Sequence, residues 1–305
     1  MTNLAPIVLF TYNRLWYTQQ TINSLLLNPL AKDSELFIFS DGWKNEKDKP
    51  NVESVRSYLK TIEGFKSITI YESKKNKGLA NSTIEGVTQI INQYHKVIVL
   101  EDDLLVATYF LDFMNEALVL YENEVLIGNI QGHVYSCKMP KLDSFIISSV
   151  DSLGWGTWKR AWVLFEPDGK KLLNEIVSKN LIKEFNFEGA YPFIKMLRYQ
   201  IEGKNNSWAI RWRASLFLNQ KLSVNVGKSL IQHIGWDGAG THCNRGAMYK
   251  DKLYWSKIPV NPIIPIEENR KAKDALKRMY WWRNTKLFKG WVLLKFYFKK
   301  VLNLY

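Results

Sequence analysis

Short apolar runs alternate with amphipathic stretches through the first third of the chain. Residues 6–12 (PIVLFTY) read as a short buried strand. Residues 14–27 then read as a helix, with Leu15, Ile22, Leu25 and Leu26 on one side. The pattern repeats with strands at 35–40 (ELFIFS), 67–72 (SITIYE) and 96–100 (KVIVL), and helices at 52–62 and 79–93. Beyond residue 103 the pattern predicts helices at 109–121, 185–202 and 207–219, and a Trp-rich turn and helix at 155–165. Further strands fall at 126–131, 144–149, 222–226 and 230–234. Strands alternating with helices predict an α/β fold: a mainly parallel central sheet covered by helices on both faces.

In such a sheet, ligands collect at the carboxyl ends of the strands. Arg14, Asp41, the turn at 76–81 and the triplet Glu101-Asp102-Asp103 each follow a predicted strand end. Polar groups distant in sequence are therefore expected to converge on one crevice. The nine prolines add one boundary, since three of them lie in 257–266 and read as a linker. The expected layout is a domain over 1–256, divided near residue 103 into two halves. Residues 257–305 follow as a linker and a basic segment.

Composition narrows the class. With 46% hydrophobic and 14% aromatic residues the chain is globular. Its two cysteines, Cys137 and Cys243, have no metal-ligand spacing, and a reducing compartment is expected. The opening MTNLAPIVLFTYNR lacks the features of a secretory leader. No apolar stretch is long and charge-free enough to span a bilayer. The net charge is +13, but residues 271–305 hold ten Lys/Arg against the single acid Asp274. The excess is therefore a feature of the C-terminal segment.

The triplet carries the first chemistry. Adjacent carboxylates at a strand end are costly unless a positive charge sits between them. A hard divalent cation supplies that charge and also binds phosphate oxygens. Mn²⁺ or Mg²⁺ on a diphosphate would neutralise a leaving nucleotide. A solvated acidic turn is the plain alternative. Gly78 permits close backbone approach, and Lys77 can neutralise a phosphate. A simple turn explains Asn76-Lys77-Gly78 equally well.

The segment VIVLEDDLLVATYFLDFM resembles the metal-site segment of GT-A type (Rossmann-like) glycosyltransferases, in particular the N-acetylglucosaminyltransferase I type. PIVLFTYNR is similar to the opening strand and arginine of that family, and FSDG to its second strand end. NKGLANS resembles a turn of inverting bacterial glycosyltransferases. LGWGTWKRAW, SWAIRW and IGWDGAGTHC resemble segments of bacterial enzymes that build surface polysaccharides. Together these cover roughly residues 5–245. The resemblance implies Asp103 as metal ligand and Glu101 and Asp102 facing sugar and ribose. It implies Arg14 and Asp41 around the nucleotide base, Thr11, Lys77, Gly78 and Asn81 near the nucleotide sugar, and 1–103 and 104–256 as nucleotide-binding and acceptor halves.

An inverting transfer needs a carboxylate to take the acceptor proton. Related chains carry that acid near the positions of Asn206 or Ala209, where this chain has none. Asp237, Glu202, Asp151 and Glu166 are the remaining candidates, Asp237 and Glu202 foremost. Asp237 is favoured because its Gly-flanked loop can swing over the donor, although it also suits a simple turn. His242, just beyond, is a candidate second metal ligand, since neutral imidazole suits Mn²⁺. Trp155 and Trp158 are candidates to stack on the acceptor sugar. Trp208 and Trp212, one helical turn apart, are expected in the core.

Residues 280–305 mix Trp, Phe, Leu and Lys, as interfacial segments do. Contact with the inner face of a cell membrane would suit a lipid-linked acceptor and a cytoplasmic, peripheral protein. The alternative is a helix packed on the domain with its lysines reaching to solvent. No nucleic-acid partner is expected, because the body is nearly charge-balanced and carries no such motif. The reading is a metal-dependent, inverting glycosyltransferase (hexosyl- or N-acetylhexosaminyltransferase) using a UDP-sugar for surface polysaccharide. A sugar-phosphate nucleotidyltransferase is disfavoured, since TYNRLW lacks the glycine-rich loop of that class. A carbohydrate- or lipid-binding protein with a decayed site is kept open by the absent acid at 209.

Overall fold

A computed structural model describes residues 4–235 and 252–285. The chain begins with β1 (Ile7–Thr11), α1 (Leu15–Leu26), β2 (Glu35–Ser40), α2 (Lys49–Leu59) and β3 (Ser67–Glu72). It continues through α3 (Gly78–Tyr94), β4 (Lys96–Glu101), β5 (Leu104–Val106), α4 (Phe110–Leu120), β6 (Ile127–Gln131) and β7 (Ser144–Ile147). Then come β8 (Trp155–Trp158), α5 (Lys159–Trp162), α6 (Gly169–Ser178), α7 (Ile182–Phe185), α8 (Phe193–Ile201) and α9 (Trp208–Leu218). The last elements are β9 (Leu222–Val226), β10 (Ile231–His233) and α10 (Arg270–Asn284).

Eight strands form one sheet in the order β3-β2-β1-β4-β8-β6-β9-β7. The first four are mutually parallel, and β6 and β9 are also parallel. β8 runs antiparallel between β4 and β6, and β7 antiparallel to β9. The expected mixed α/β architecture is therefore present. Period-2 alternation sends β1 and β4 side chains to two different cores. Ile7, Leu9, Ile98 and Leu100 enter one, and Val8, Phe10, Val97 and Val99 the other. Both faces are covered, which explains why these strands read as unbroken apolar runs.

Several elements differ from expectation: the helix expected over 185–202 is confined to α8, and β5 and α7 were not foreseen. Residues 155–158 (WGTW) form a central strand, where a turn and helix had been expected. All four are buried, because neighbours on both edges and layers on both faces enclose them. Helix α6 was not foreseen, although its N-cap is legible: the Asp168 side chain accepts from the backbone of Lys170 and Lys171.

The chain runs irregularly through 257–266, as the prolines suggested. Beyond it, Asn269 caps α10, whose Ala272, Leu276 and Met279 enter the main core. Tyr280 packs among Tyr135, Phe187, Tyr191 and Phe193. Trp281 and Trp282 are exposed. The remainder of the expected interfacial segment, 286–305, lies outside the described residues. Among the described residues no helix is long and apolar enough to cross a membrane.

Candidate functional site

The site is built on the carboxyl ends of β1 and β4, which lie side by side with Phe10 opposite Glu101. The triplet occupies the tight turn between β4 and β5. That turn is fixed by the small polar face of α1. The Thr21 hydroxyl accepts the backbone N–H of Leu104 at 3.2 Å, and the Ser24 hydroxyl that of Val106 at 3.1 Å. Bulkier residues at these helix positions would leave β5 backbone donors buried and unpaired.

Asp103 lies on the floor and is 7% exposed. Its Oδ2 accepts from Arg14 Nη1 at 3.0 Å and lies 3.2 Å from His233 Nε2. His233 arrives on β10, which pairs antiparallel with β5 so that His233 stands opposite Leu104. Asp103 Oδ1 is buried and has no hydrogen-bond partner among the described residues. Gly235 completes the floor. A Cβ there would lie 2.2 Å from Asp103 Oδ2 and 3.0 Å from Arg14 Nη1, so a side chain at this position would displace the Asp103 carboxylate. Arg14 also stacks on Tyr17, with its guanidinium carbon 3.7 Å from the ring centre.

Asp102 Oδ2 accepts from the backbone of Tyr12 at 3.2 Å. The three carboxyls sit in different electrostatic states. Burial, then the charge of Asp103, pushes the Asp102 carboxyl up to about 7. Burial and Asp103 likewise push Glu101 up to about 8. For Asp103 burial also acts upward, but His233 and Arg14 outweigh it and hold the carboxyl below its usual range. The charge on this floor is therefore concentrated on Asp103.

In chelator, the stability of the fold depends on the protonation of Asp102. The Asp102 pKa is raised on folding, so its contribution to stability falls as pH rises from the unfolded value of about 4 to the folded value. Asp102→Asn removes that loss. The variant is expected to melt a few degrees above the parent at pH 8, with the gap closing toward pH 4. Thermal melts across that range check this, and a gap independent of pH would contradict it.

The other expected residues are placed as follows. Thr11 is buried at the end of β1, and its hydroxyl has no partner among the described residues. Asp41 closes β2, and its carboxylate is fully engaged. It accepts from Asn76 Nδ2 at 3.1 Å and from the backbone of Lys77 and Gly78 at 2.9 Å and 2.8 Å. It thus caps α3 from a distant part of the chain. A cavity of about 320 Å³ opens beside it, lined by Phe39, Asp41, Tyr71, Glu72, Lys77 and Glu85 among others. The triplet does not line this cavity. The Lys77 ammonium pairs with Glu85, and Asn81 turns back onto the Lys77 carbonyl. Gly78 has open space where a Cβ would stand, so its φ of +74° requires glycine, rather than close packing.

Three expectations are corrected. Trp155 and Trp158 offer no face to an acceptor, being 0% and 2% exposed. Trp155 packs against Trp162, Trp208 and Trp212. Trp158 donates its indole N–H to the Leu118 carbonyl at 2.9 Å. Glu202 does not join the triplet. It caps the end of α8, in the layer formed with α6 and α9, and pairs with Lys204. Glu166 likewise pairs with Lys171 and accepts from the Asp168 backbone. Asp237 and His242 lie outside the described residues. His233 was missed, although it falls in a stretch expected to be a strand. Its partnership with Asp103 depends on the β5–β10 pairing, which no local pattern announces.

Among the described residues no three metal-ligating side chains converge. Mg²⁺-type ions need no such cage, since they are held by one or two carboxylates together with substrate phosphates. One buried carboxylate oxygen without a partner, on an otherwise neutralised floor, fits that mode.

No protein-family model matches the sequence, and no curated protein does. Among the solved structures that show a likeness, two illustrate how faint it is. One is TarS of S. aureus, at 13% identity and a TM-score of 0.36, over 52% of this chain and 28% of that one. The other is the mannosyltransferase PcManGT of Pyrobaculum calidifontis in complex with GDP-Man and Mn²⁺, at 10% identity and a TM-score of 0.36. It is matched over 72% of this chain and 70% of its own. This chain thus spans well under a third of TarS. Likeness at this level carries no argument about activity, which rests on the residues at the strand ends.

Proposed function

We propose that this chain is a metal-dependent, inverting glycosyltransferase of the GT-A type. It moves a sugar from a UDP-sugar to a glycan or lipid-linked glycan in surface polysaccharide assembly. The observation that carries this reading is Asp103, a buried carboxylate pinned through one oxygen by Arg14 and His233 with the other oxygen unpartnered. Asp103 Oδ1 would hold Mn²⁺ or Mg²⁺. The bound ion supplies positive charge to the diphosphate as it leaves. Arg14 fixes the orientation of that carboxylate and adds charge beside it. Thr11, with its buried unpartnered hydroxyl, and Asp41 line the approach at the ends of β1 and β2. The exposed Trp281 and Trp282 on a basic helix support a peripheral membrane contact through 280–305.

Thermal-shift measurements with UDP-sugars, with and without Mn²⁺, test this reading. A ligand at about a hundredfold over its Kd adds roughly 2.7 kcal/mol, which is on the order of 4 °C for a chain of this length. The expected result is a shift that needs both sugar nucleotide and metal. Shifts with neither, or with the sugar nucleotide equally in chelator, contradict it.

A further inference from the structure

An inverting transfer needs a base, and the N-terminal turn of α9 carries none. Ser207 caps that helix and Trp208 is buried at its first position. The sheet topology brings another carboxylate to the crevice. Trp155, the first residue of β8, pairs with Val99 of β4 on one side and Gln131 of β6 on the other. The segment entering this antiparallel strand therefore meets the carboxyl ends of both neighbours. Glu101 stands two residues beyond Val99, His133 two beyond Gln131, and Asp151 four before Trp155.

Asp151 is held firmly from behind. His133 Nδ1 lies 3.0 Å from its Oδ2, and the Ser152 backbone donates to Oδ1 at 2.8 Å. The Tyr135 hydroxyl also bonds to it, and its own backbone N–H donates to Gln131 Oε1 at 3.3 Å. The His133 side chain is fully enclosed, whereas that of Asp151 is 24% exposed. Both carboxylate oxygens are thus held in place, while part of the side chain stays open to solvent. The two other described acids considered, Glu166 and Glu202, are paired with lysines away from the triplet.

We infer that Asp151 is the general base of the transfer, an assignment that rests on the glycosyltransferase reading and deepens it. An Asp151 oxygen takes the proton of the acceptor hydroxyl. The acceptor oxygen forms its bond to the anomeric carbon from the face opposite the leaving group. The bond from that carbon to the diphosphate oxygen breaks, and its electron pair leaves with the nucleoside diphosphate. The proton stays on Asp151 until solvent removes it. Burial acts to raise the Asp151 carboxyl, but His133 outweighs it and keeps the group below the usual range, hence ionised and able to accept. Its charge is felt by Glu101 on the crevice side and by the buried Arg213 behind.

The test uses the full chain with Mn²⁺, water as acceptor, and UDP-glucose, UDP-N-acetylglucosamine and GDP-mannose as donors. Asp151→Ala is expected to lower nucleoside diphosphate release by about 10²–10⁴-fold. Donor affinity by calorimetry is expected to change by less than about threefold. Sodium azide, a nucleophile with no proton to lose, is expected to restore release in this variant and give an inverted glycosyl azide. Asp151→Asn, which keeps the side-chain volume, is expected to lose release equally while melting near the parent. Retention of more than about a tenth of parental release in either variant overturns the assignment and leaves the transferase reading intact. Loss of release without azide rescue also overturns it. No release from any donor by the parent chain overturns the transferase reading, and this assignment with it.

Discussion

Asp103→Ala is expected to abolish the metal-dependent part of the donor-induced thermal shift and to lower transfer by about a thousandfold or more. A metal on a leaving oxygen contributes several kcal/mol to the transition state, and each 1.36 kcal/mol is a factor of ten. The variant has a second consequence. Arg14 and His233 both lean on Asp103 Oδ2, so removing it takes an ion pair away from a largely buried guanidinium. Stripping one partner from such a pair costs about 3 kcal/mol when buried, and less at a partly open site like this one. A fall in Tm alone therefore does not count in favour of the metal reading. Asp103→Asn separates the effects, because it keeps an oxygen toward Arg14 and removes the charge that a hard cation needs. It is expected to melt nearer the parent and still to show no shift from Mn²⁺ with a UDP-sugar. A variant without Asp103 that transfers at the parental rate in chelator would sink the proposal.

The parts of this site legible in the sequence are those that follow from local pattern. A buried parallel strand shows as an unbroken apolar run, so the ends of β1, β2 and β4, and with them Thr11, Asp41 and the triplet, could be placed in advance. The parts that were not legible depend on contacts between remote segments. His233 meets Asp103 only because β10 pairs with β5. Asp151 reaches the crevice only because β8 inserts antiparallel between β4 and β6. An antiparallel strand in a parallel sheet delivers its entry, not its exit, to the ligand-binding edge, and WGTW carries no sign of its direction. The same blind spot left Asp151 undistinguished among the candidate bases from Glu202 and Glu166, which are salt-bridged to lysines elsewhere in space. Asp41 is an intermediate case. Its position was legible, but not its capping of α3, since that carboxylate and the Lys77 and Gly78 N–H groups are more than thirty residues apart.

Trp155→Ala is expected to cost about 3–5 kcal/mol of stability, roughly 5–8 °C in Tm, and not to act through the acceptor. The indole of Trp155 is fully buried, with ring centres 5.2–6.2 Å from those of Trp208, Trp162 and Trp212. It stands on a central strand, so the surroundings cannot close over the space it leaves. Unrelaxed space of that kind is what raises the cost of a large-to-small change above the transfer free energy of the lost atoms. Trp155→Phe, which keeps an aromatic ring in the same cage, is expected to lose much less. The contrast bears on function because β8 carries Asp151 at its entry, four residues upstream. A loosened strand would move that carboxylate, and turnover would fall with stability while donor affinity held. Were Trp155 an acceptor platform, the Ala variant would melt near the parent and show only a raised KM for acceptor. Paired urea titrations and initial-rate measurements on both variants distinguish the two outcomes, since a packing role moves the unfolding midpoint first.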